Sequence, residues 1–208
     1  VNELAQRRLY LCTPNRDDLL SFVESVIDGG VDVVQLRDKF ADAKVVVAVA
    51  TPLAALCRER GVPFILNDRP DLALEVGADG VHVGQDDASV RLCRRLLGPN
   101  AIIGLSTHAD ADLELALAED TTYLSAGPVV ATPTKPGRPG VGVEYAARAT
   151  SRSRPQPVFV TGGVTPTTVP ALAAAGVEHF VVVRYLTEAS NGTRAASALR
   201  RAIDEALS

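Results

Sequence analysis

The sequence predicts an α/β protein, a single-domain (β/α)8 barrel over residues 1–208. Three observations carry this. Eight short runs rich in Val and Ile alternate with stretches of helical period. The runs are continuously apolar, not strictly alternating, which suits parallel strands covered on both faces. No linker-like break divides the chain, and 208 residues suffice for a lean barrel, whose lower limit is ~200. A doubly wound open sheet is the competing architecture, but no G-x-G-x-x-G follows the first run.

RLYLCT (8–13) is the first expected strand, followed by a helix near 17–28. VDVVQLR (31–37) precedes a helix near 41–60, PFILN (63–67) one near 70–76, and GVHVG (80–84) one near 88–97. AIIGLS (101–106) and TYLSAG (122–127) lead into helices near 109–118 and 143–150. PVFVT (157–161) and HFVVV (179–183) complete the set, with helices near 166–175 and 193–206. Three segments, GGVDVVQLR, VGADGVHVGQ and AGVEHFVVVR, repeat a glycine, an apolar residue, an acid and a strand. The repeat reads as one way of turning from helix to strand: Gly30, Gly77 and Gly176 end helices, and Asp32, Asp79 and Glu178 open strands.

Composition narrows the function class. With 47% apolar and 22% charged residues the chain can bury a core without covalent staples. A net charge of −4 argues against a nucleic-acid partner. No apolar run is long enough to span a bilayer, and VNELAQRRLYLCTP has no signal-peptide core, so the expected setting is cytoplasmic. Cys12, Cys57 and Cys93, odd in number and widely spaced, suggest reduced thiols. Only Lys39, Lys44 and Lys135 are lysines among 21 Lys and Arg residues; a lysine kept in so arginine-rich a chain suggests a need for a compact ammonium.

In this fold the working face is built from the loops after the strands' carboxyl ends. After the second strand, Gln35, Arg37 and Lys39 share a face, a cationic row suited to phosphate or pyrophosphate; a solvated strand exit is the bland alternative. After the third and fourth strands, ~4.8 Å apart, Asp68 and either Asp86 or Asp87 face a common point. Two such carboxylates repel unless a cation lies between them, and Mg2+ suits one or two carboxylates plus phosphate oxygens. Helix capping is the alternative for these acids. His82 reads as a packed core residue, His108 as a helix-entry neighbour and His179 as structural, at the opposite face. Ser106 lacks a G-x-S-x-G setting and fits better as a hydroxyl donor to a ligand.

After the seventh strand, Gly162 and Gly163 are expected to let the backbone approach a ligand. Thr165 is expected as N-cap and Pro166 as first helical residue, forming an anion site with the helix dipole. Arg184 either closes that site or pairs with a surface acid. VVATPTKPGRPGVG (129–142) hangs over the same mouth after the sixth strand. Its Thr132, Thr134 and Lys135 suit a loop that orders over phosphates and excludes water. Two anion sites, a metal site between them and no convincing nucleophile suggest that a pyrophosphate-bearing substrate is joined to a monophosphate.

QLRDK, LNDRPDLALEVGADGVHVGQDD, GLSTH, AGPVVATPTKPG and VTGGVTP, in that order, resemble the thiamine-phosphate synthase family. The resemblance implies a TIM barrel. It implies coupling of 4-amino-5-hydroxymethyl-2-methylpyrimidine diphosphate to 4-methyl-5-(2-phosphoethyl)thiazole, with release of diphosphate and a need for Mg2+. It gives the pyrimidine diphosphate to Gln35, Leu36, Arg37, Asp38, Lys39, Asn67, Ser106 and Lys135. Asp68 and Asp87 become the magnesium ligands. Thr132, Pro133, Thr134, Gly163, Val183 and Arg184 take the thiazole phosphate. The implied chemistry is dissociative, with Arg37, Lys39 and Lys135 stabilising the departing charge. Many family members carry a small hydroxyl residue where Arg184 stands, so the contact there is its amide or an added guanidinium. The segment LCTPNRDD also lacks the acid often found after the first strand. Two rivals are a non-catalytic binder of thiamine phosphates, which tends to lack parts of this diphosphate and metal set, and a phosphosugar isomerase, which needs an acid/base pair. The expected partners are small molecules, with no nucleic acid or membrane; the sequence leaves a homo-oligomer open.

Overall fold

Alternation along the strands sorts their side chains into two cores. The computed structural model describes residues 3–132 and 139–208. Its strands are β1 (Leu9–Thr13), β2 (Val33–Leu36), β3 (Phe64–Asn67), β4 (Gly80–Val83), β5 (Ile102–Thr107), β6 (Tyr123–Ala126), β7 (Val158–Thr161) and β8 (His179–Val182). All neighbours pair in parallel and in chain order, and β8 closes onto β1. Leu11, Val34, Leu66, Val81, Leu124 and Val160 face outward into the core shared with the helices. Tyr10, Val33, Ile65, Ile102, Tyr123 and Phe159 fill the interior. Apolar residues are needed on both faces, which is why the runs read as continuously hydrophobic.

The interior changes character along its length. Towards the carboxyl ends the same inward positions become Cys12, Gln35, Asn67, His82, Ser106, Ser125 and Thr161, all lining one cavity. At the amino ends, Leu4 of a short 3-10 turn (Glu3–Gln6) is fully buried against the interior cluster. The barrel is therefore stoppered at one end and polar at the other.

The outer ring comprises α1 (Leu19–Asp28), α2 (Ala43–Glu59), α3 (Pro70–Val76), α4 (Val90–Leu97), α5 (Asp110–Ala116), α6 (Gly142–Ser153), α7 (Val169–Ala174), α8 (Arg184–Thr187) and α9 (Gly192–Ala206). The repeated acids turn out to be latches. Asp32 accepts the Arg8 and Leu9 amides at 2.9 Å, and Asp79 accepts the Phe64 amide at 2.8 Å, so each fixes where the neighbouring strand begins. Glu178 instead forms an ion pair with Arg8 at 3.5 Å. The cysteines form no disulfide; burial, with the Asp79 charge adding, pushes the Cys57 thiol up to about 12.

Two elements differ from expectation. α7 begins at Val169, not Pro166. Thr165 and Thr168 exchange side-chain-to-amide hydrogen bonds of 2.9 and 3.3 Å, and this closed turn delays the helix. α8 was not anticipated; its four residues follow almost directly on β8 and its start has no side-chain cap.

Candidate active site

The strand ends open into a cavity of about 730 Å3. The cationic row enters it from the exit of β2. The Arg37 amide donates to Thr13 O at 2.8 Å, which anchors that exit, while the Arg37 guanidinium has no partner among the described residues. Asp38 Oδ1 accepts the Phe40 and Ala41 amides at 3.3 and 3.2 Å, so its carboxylate shapes the turn. Lys39 Nζ lies 2.8 Å from Asp68 Oδ2.

Asp68 follows directly on β3. Its amide donates to His82 O at 2.8 Å, continuing the ladder to β4. It is the one non-glycine residue with positive φ, 62°, among the described residues; Asp tolerates this region better than most. Asp87 Oδ2 accepts the Gly84 amide at 2.8 Å, which turns its carboxylate back towards β3. The two carboxyl groups lie close enough for each to shift the other's proton affinity. Burial raises Asp68 above the ordinary carboxylate range, helped by Asp87 and opposed by Lys39. Burial also acts on Asp87, but the Gly84 amide, the nearby Asp68 carboxyl and the Lys39 and His82 charges together hold it below that range.

The capping alternative does not describe these acids. The N-cap of α4 is Ser89, whose side chain accepts the Leu92 amide at 3.3 Å, and the N-cap position of α3 is Arg69. Asp86 also lines the cavity, but Asp87 is the one that acts on Asp68.

The opposite wall comes from β7 and β8. Gly163, Val164 and Thr165, then Val183 and Arg184 at the start of α8, line the cavity together with Thr132. The loop after strand eight and a short extra helix are a common phosphate-binding arrangement in such barrels. The two glycines after β7 line the cavity, and their missing side chains also serve packing. A Cβ at Gly162 would lie 2.6 Å from Pro128 Cα, and one at Gly163 would lie 2.5 Å from Val130 Cγ2. They let the segment after β6 lie against β7.

Gln35, Asn67 and Ser106 line the cavity as expected from their inward positions. Leu36 does not: it points outward into the helix–barrel core, so only its backbone can serve a ligand. His82 is buried and hydrogen-bonded, with Tyr123 Oη at 2.9 Å and Ser106 Oγ at 2.9 Å. His108 borders the cavity where α5 is approached, its amide donating to Asp112 at 2.9 Å. His179 lies at the amino ends, against the Arg7 carbonyl at 2.6 Å. Pro133, Thr134 and Lys135 lie outside the described residues. Tyr10, Cys12, Tyr123 and Ser125 line the cavity too and went unnoticed in the sequence. Their parity was the signal: each lies an even number of positions along its strand from an inward neighbour.

Residues 9–186 match the family described as thiamine monophosphate synthase. The chain belongs to the thiamine-phosphate synthase family. It is 40% identical to a thiamine-phosphate synthase of Mycobacterium sp. (strain JLS) over 212 aligned positions, covering 96% of this chain and 94% of that protein. The thiamine-phosphate synthase of Gloeobacter violaceus is 44% identical over 191 positions and 92% of this chain, but the chain spans only 56% of its length. The solved thiamine phosphate pyrophosphorylase of Pyrococcus furiosus superposes with a TM-score of 0.87 at 28% identity, covering 97% of each chain. A 3-hexulose-6-phosphate synthase, 20% identical with a TM-score of 0.69 over 94% of this chain and 99% of its own, shares the fold alone. Membership in the thiamine-phosphate synthase family makes the chain an enzyme of that type, a transferase of thiamine biosynthesis.

Proposed function

We propose that the chain joins the pyrimidine diphosphate to the thiazole phosphate by a magnesium-assisted dissociative displacement, giving thiamine phosphate and diphosphate. The observation that carries this reading is the meeting of Lys39, Asp68 and Asp87 at the mouth of a polar cavity that Arg37 also lines.

The bond between the pyrimidine methylene carbon and the diphosphate oxygen breaks, and its electron pair leaves with diphosphate. The thiazole nitrogen then gives its lone pair to the methylene carbon and becomes the cationic centre of the product. No proton need be removed, which agrees with the lack of an assigned nucleophile or base. Arg37, Lys39 and Lys135 hold the diphosphate, where fixed positive charge favours its departure. Gln35, Asn67 and Ser106 take the pyrimidine end. Thr132, Pro133, Thr134, Gly163, Val183 and Arg184 take the thiazole phosphate, and Leu36 and Asp38 shape the loop between.

Asp68 and Asp87 are the proposed magnesium ligands. Two neighbouring carboxyl groups, one raised and one lowered in proton affinity, suit a hard cation between them. Among the described residues no cluster of three or more His, Cys, Asp or Glu forms a protein cage for a metal, so waters and substrate oxygens complete the ligand set. When bound, Mg2+ supplies charge neutralisation to the leaving diphosphate. No helix of the described residues is long and apolar enough to cross a membrane, and the proposed partners are the two small substrates.

Incubation of the purified chain with both substrates and a magnesium series tests this. Thiamine phosphate and diphosphate are expected in equal amounts. No product at any magnesium concentration would refute the reading, and equal rates after chelation would refute the metal role.

A further inference from the structure

The barrel interior holds a continuous file of hydrogen bonds that the displacement itself does not use. Gln35 Nε2 donates to Tyr10 Oη at 2.8 Å. Tyr10 Oη lies 2.8 Å from Tyr123 Oη. Tyr123 Oη lies 2.9 Å from His82 Nδ1, and His82 Nε2 lies 2.9 Å from Ser106 Oγ. At the other end, Cys12 Sγ donates to Gln35 Oε1 at 3.3 Å. These six side chains are buried, yet all border the cavity.

The file has a direction. An amide nitrogen only donates, so the Tyr10 oxygen accepts from Gln35; the acceptor in reach of its own proton is Tyr123 Oη, and the proton goes there. Tyr123 passes its proton to His82 Nδ1. A neutral ring that accepts at Nδ1 carries its hydrogen on Nε2, so His82 donates to Ser106 Oγ. Ser125 also donates to Ser106 Oγ, at 3.4 Å. With two donors aimed at its oxygen, Ser106 has its own proton left for the cavity. Burial raises both tyrosines well above their usual range, Tyr10 also through its neighbour Tyr123, so both keep the protons this scheme needs.

We propose that Tyr10, Tyr123 and His82 are positioning residues: a directional relay, set by the Gln35 amide, that presents Ser106 as a hydrogen-bond donor to an acceptor atom of the pyrimidine diphosphate. The ligand's identity rests on the proposed function; the polarity of the relay does not. Reversing the Gln35 amide inverts every bond. Gln35 oxygen would accept from Tyr10, His82 would carry its hydrogen on Nδ1, and the Ser106 proton would be spent on His82 Nε2. One amide thus decides whether Ser106 gives or takes a hydrogen bond some three strands away.

Two-bond proton–nitrogen correlation spectra of the full chain, labelled at histidine and held without ligand at a pH where the ring is neutral, read the His82 tautomer. The Nε2–H form is expected. Gln35→Glu places an acceptor-only group at the head of the file and is expected to convert His82 to the Nδ1–H form. It should also lower kcat/KM for the pyrimidine diphosphate by about tenfold, the size of one lost buried hydrogen bond, with KM for the thiazole phosphate unchanged. Tyr123→Phe keeps the ring but cuts the file, and the same loss of kcat/KM is expected. An Nδ1–H ring in the unmodified chain, a tautomer unmoved by Gln35→Glu in folded protein, or full kcat/KM in Tyr123→Phe would each overturn the relay. If no thiamine phosphate forms at all, the tautomer still decides the relay, and the failure belongs to the proposed reaction.

Discussion

Asp68 combines an unfavourable backbone with a crowded carboxylate. Its φ of 62° is a conformation that costs ordinary L-residues roughly 1–2 kcal/mol, and its side chain lies between Lys39 and Asp87. Two substitutions separate these burdens. Asp68→Asn removes the charge but keeps a residue tolerant of left-handed backbone; Asp68→Ala removes both. Each is expected to raise the magnesium concentration for half-maximal rate at least ~10-fold, the loss typical of disturbing even an outer-shell partner. In urea melts the alanine variant is expected to be less stable than the asparagine variant by about 1 kcal/mol. An unchanged magnesium titration would remove Asp68 from the ligand set. Position after β4 does not choose between Asp86 and Asp87; the family resemblance points to Asp87, and in the fold it is Asp87 whose carboxylate the Gly84 amide holds.

At the scale of elements, β5 shows how a missing side chain organises its neighbours. Inward positions on β5 run Ile102, Gly104, Ser106. A Cβ at Gly104 would fall 2.2 Å from Tyr123 Cζ and 2.4 Å from His82 Nδ1. The φ of Gly104 is not among the positive values, so the demand is purely for space. Overpacking of this kind costs about 1–3 kcal/mol, and at ~2–4 °C per kcal/mol for a chain this long, Gly104→Ala is expected to lower Tm by roughly 5 °C. A thermal melt that superposes on the unmodified chain would show that Tyr123 and His82 yield freely. All eight strands were legible as short apolar runs alternating with stretches of helical period, three of them opened by a glycine and an acid. The delayed start of α7 was not, since it depends on two threonine hydroxyls finding each other's amides. The Tyr10–Tyr123 contact joins residues 113 apart in sequence, and no local pattern announces it. Cations and acids at strand ends were readable because charge at the mouth of a barrel is conspicuous, whereas a tyrosine inside a strand looks like core.

For the molecule as a whole, stability is set partly at the amino ends, away from the chemistry. His179 is buried there beside the Arg7 carbonyl and the Arg8 guanidinium. Burial holds its proton affinity below the usual imidazole range; the Arg7 hydrogen bond opposes this and the Arg8 charge adds to it. The sign follows directly. The folded chain keeps the ring neutral while the unfolded chain protonates it near pH 6.5, so this stability is present above that pH and is lost as the pH falls from 6.5 towards the folded value. Tm of the unmodified chain is expected to decline through this window, with a shallower decline in His179→Gln. Identical slopes for the two proteins would assign the acid sensitivity elsewhere.

The stopper formed by Leu4 at the barrel's amino end bears on traffic. With the packed layer of Tyr10, Val33, Ile65, Ile102, Tyr123 and Phe159 above it, it leaves a vessel open only at its mouth. Gln35 and Ser106 are buried at its floor, whereas Thr132 and Arg184 stand at the rim. A small guest seated on that floor has to pass the rim both coming and going.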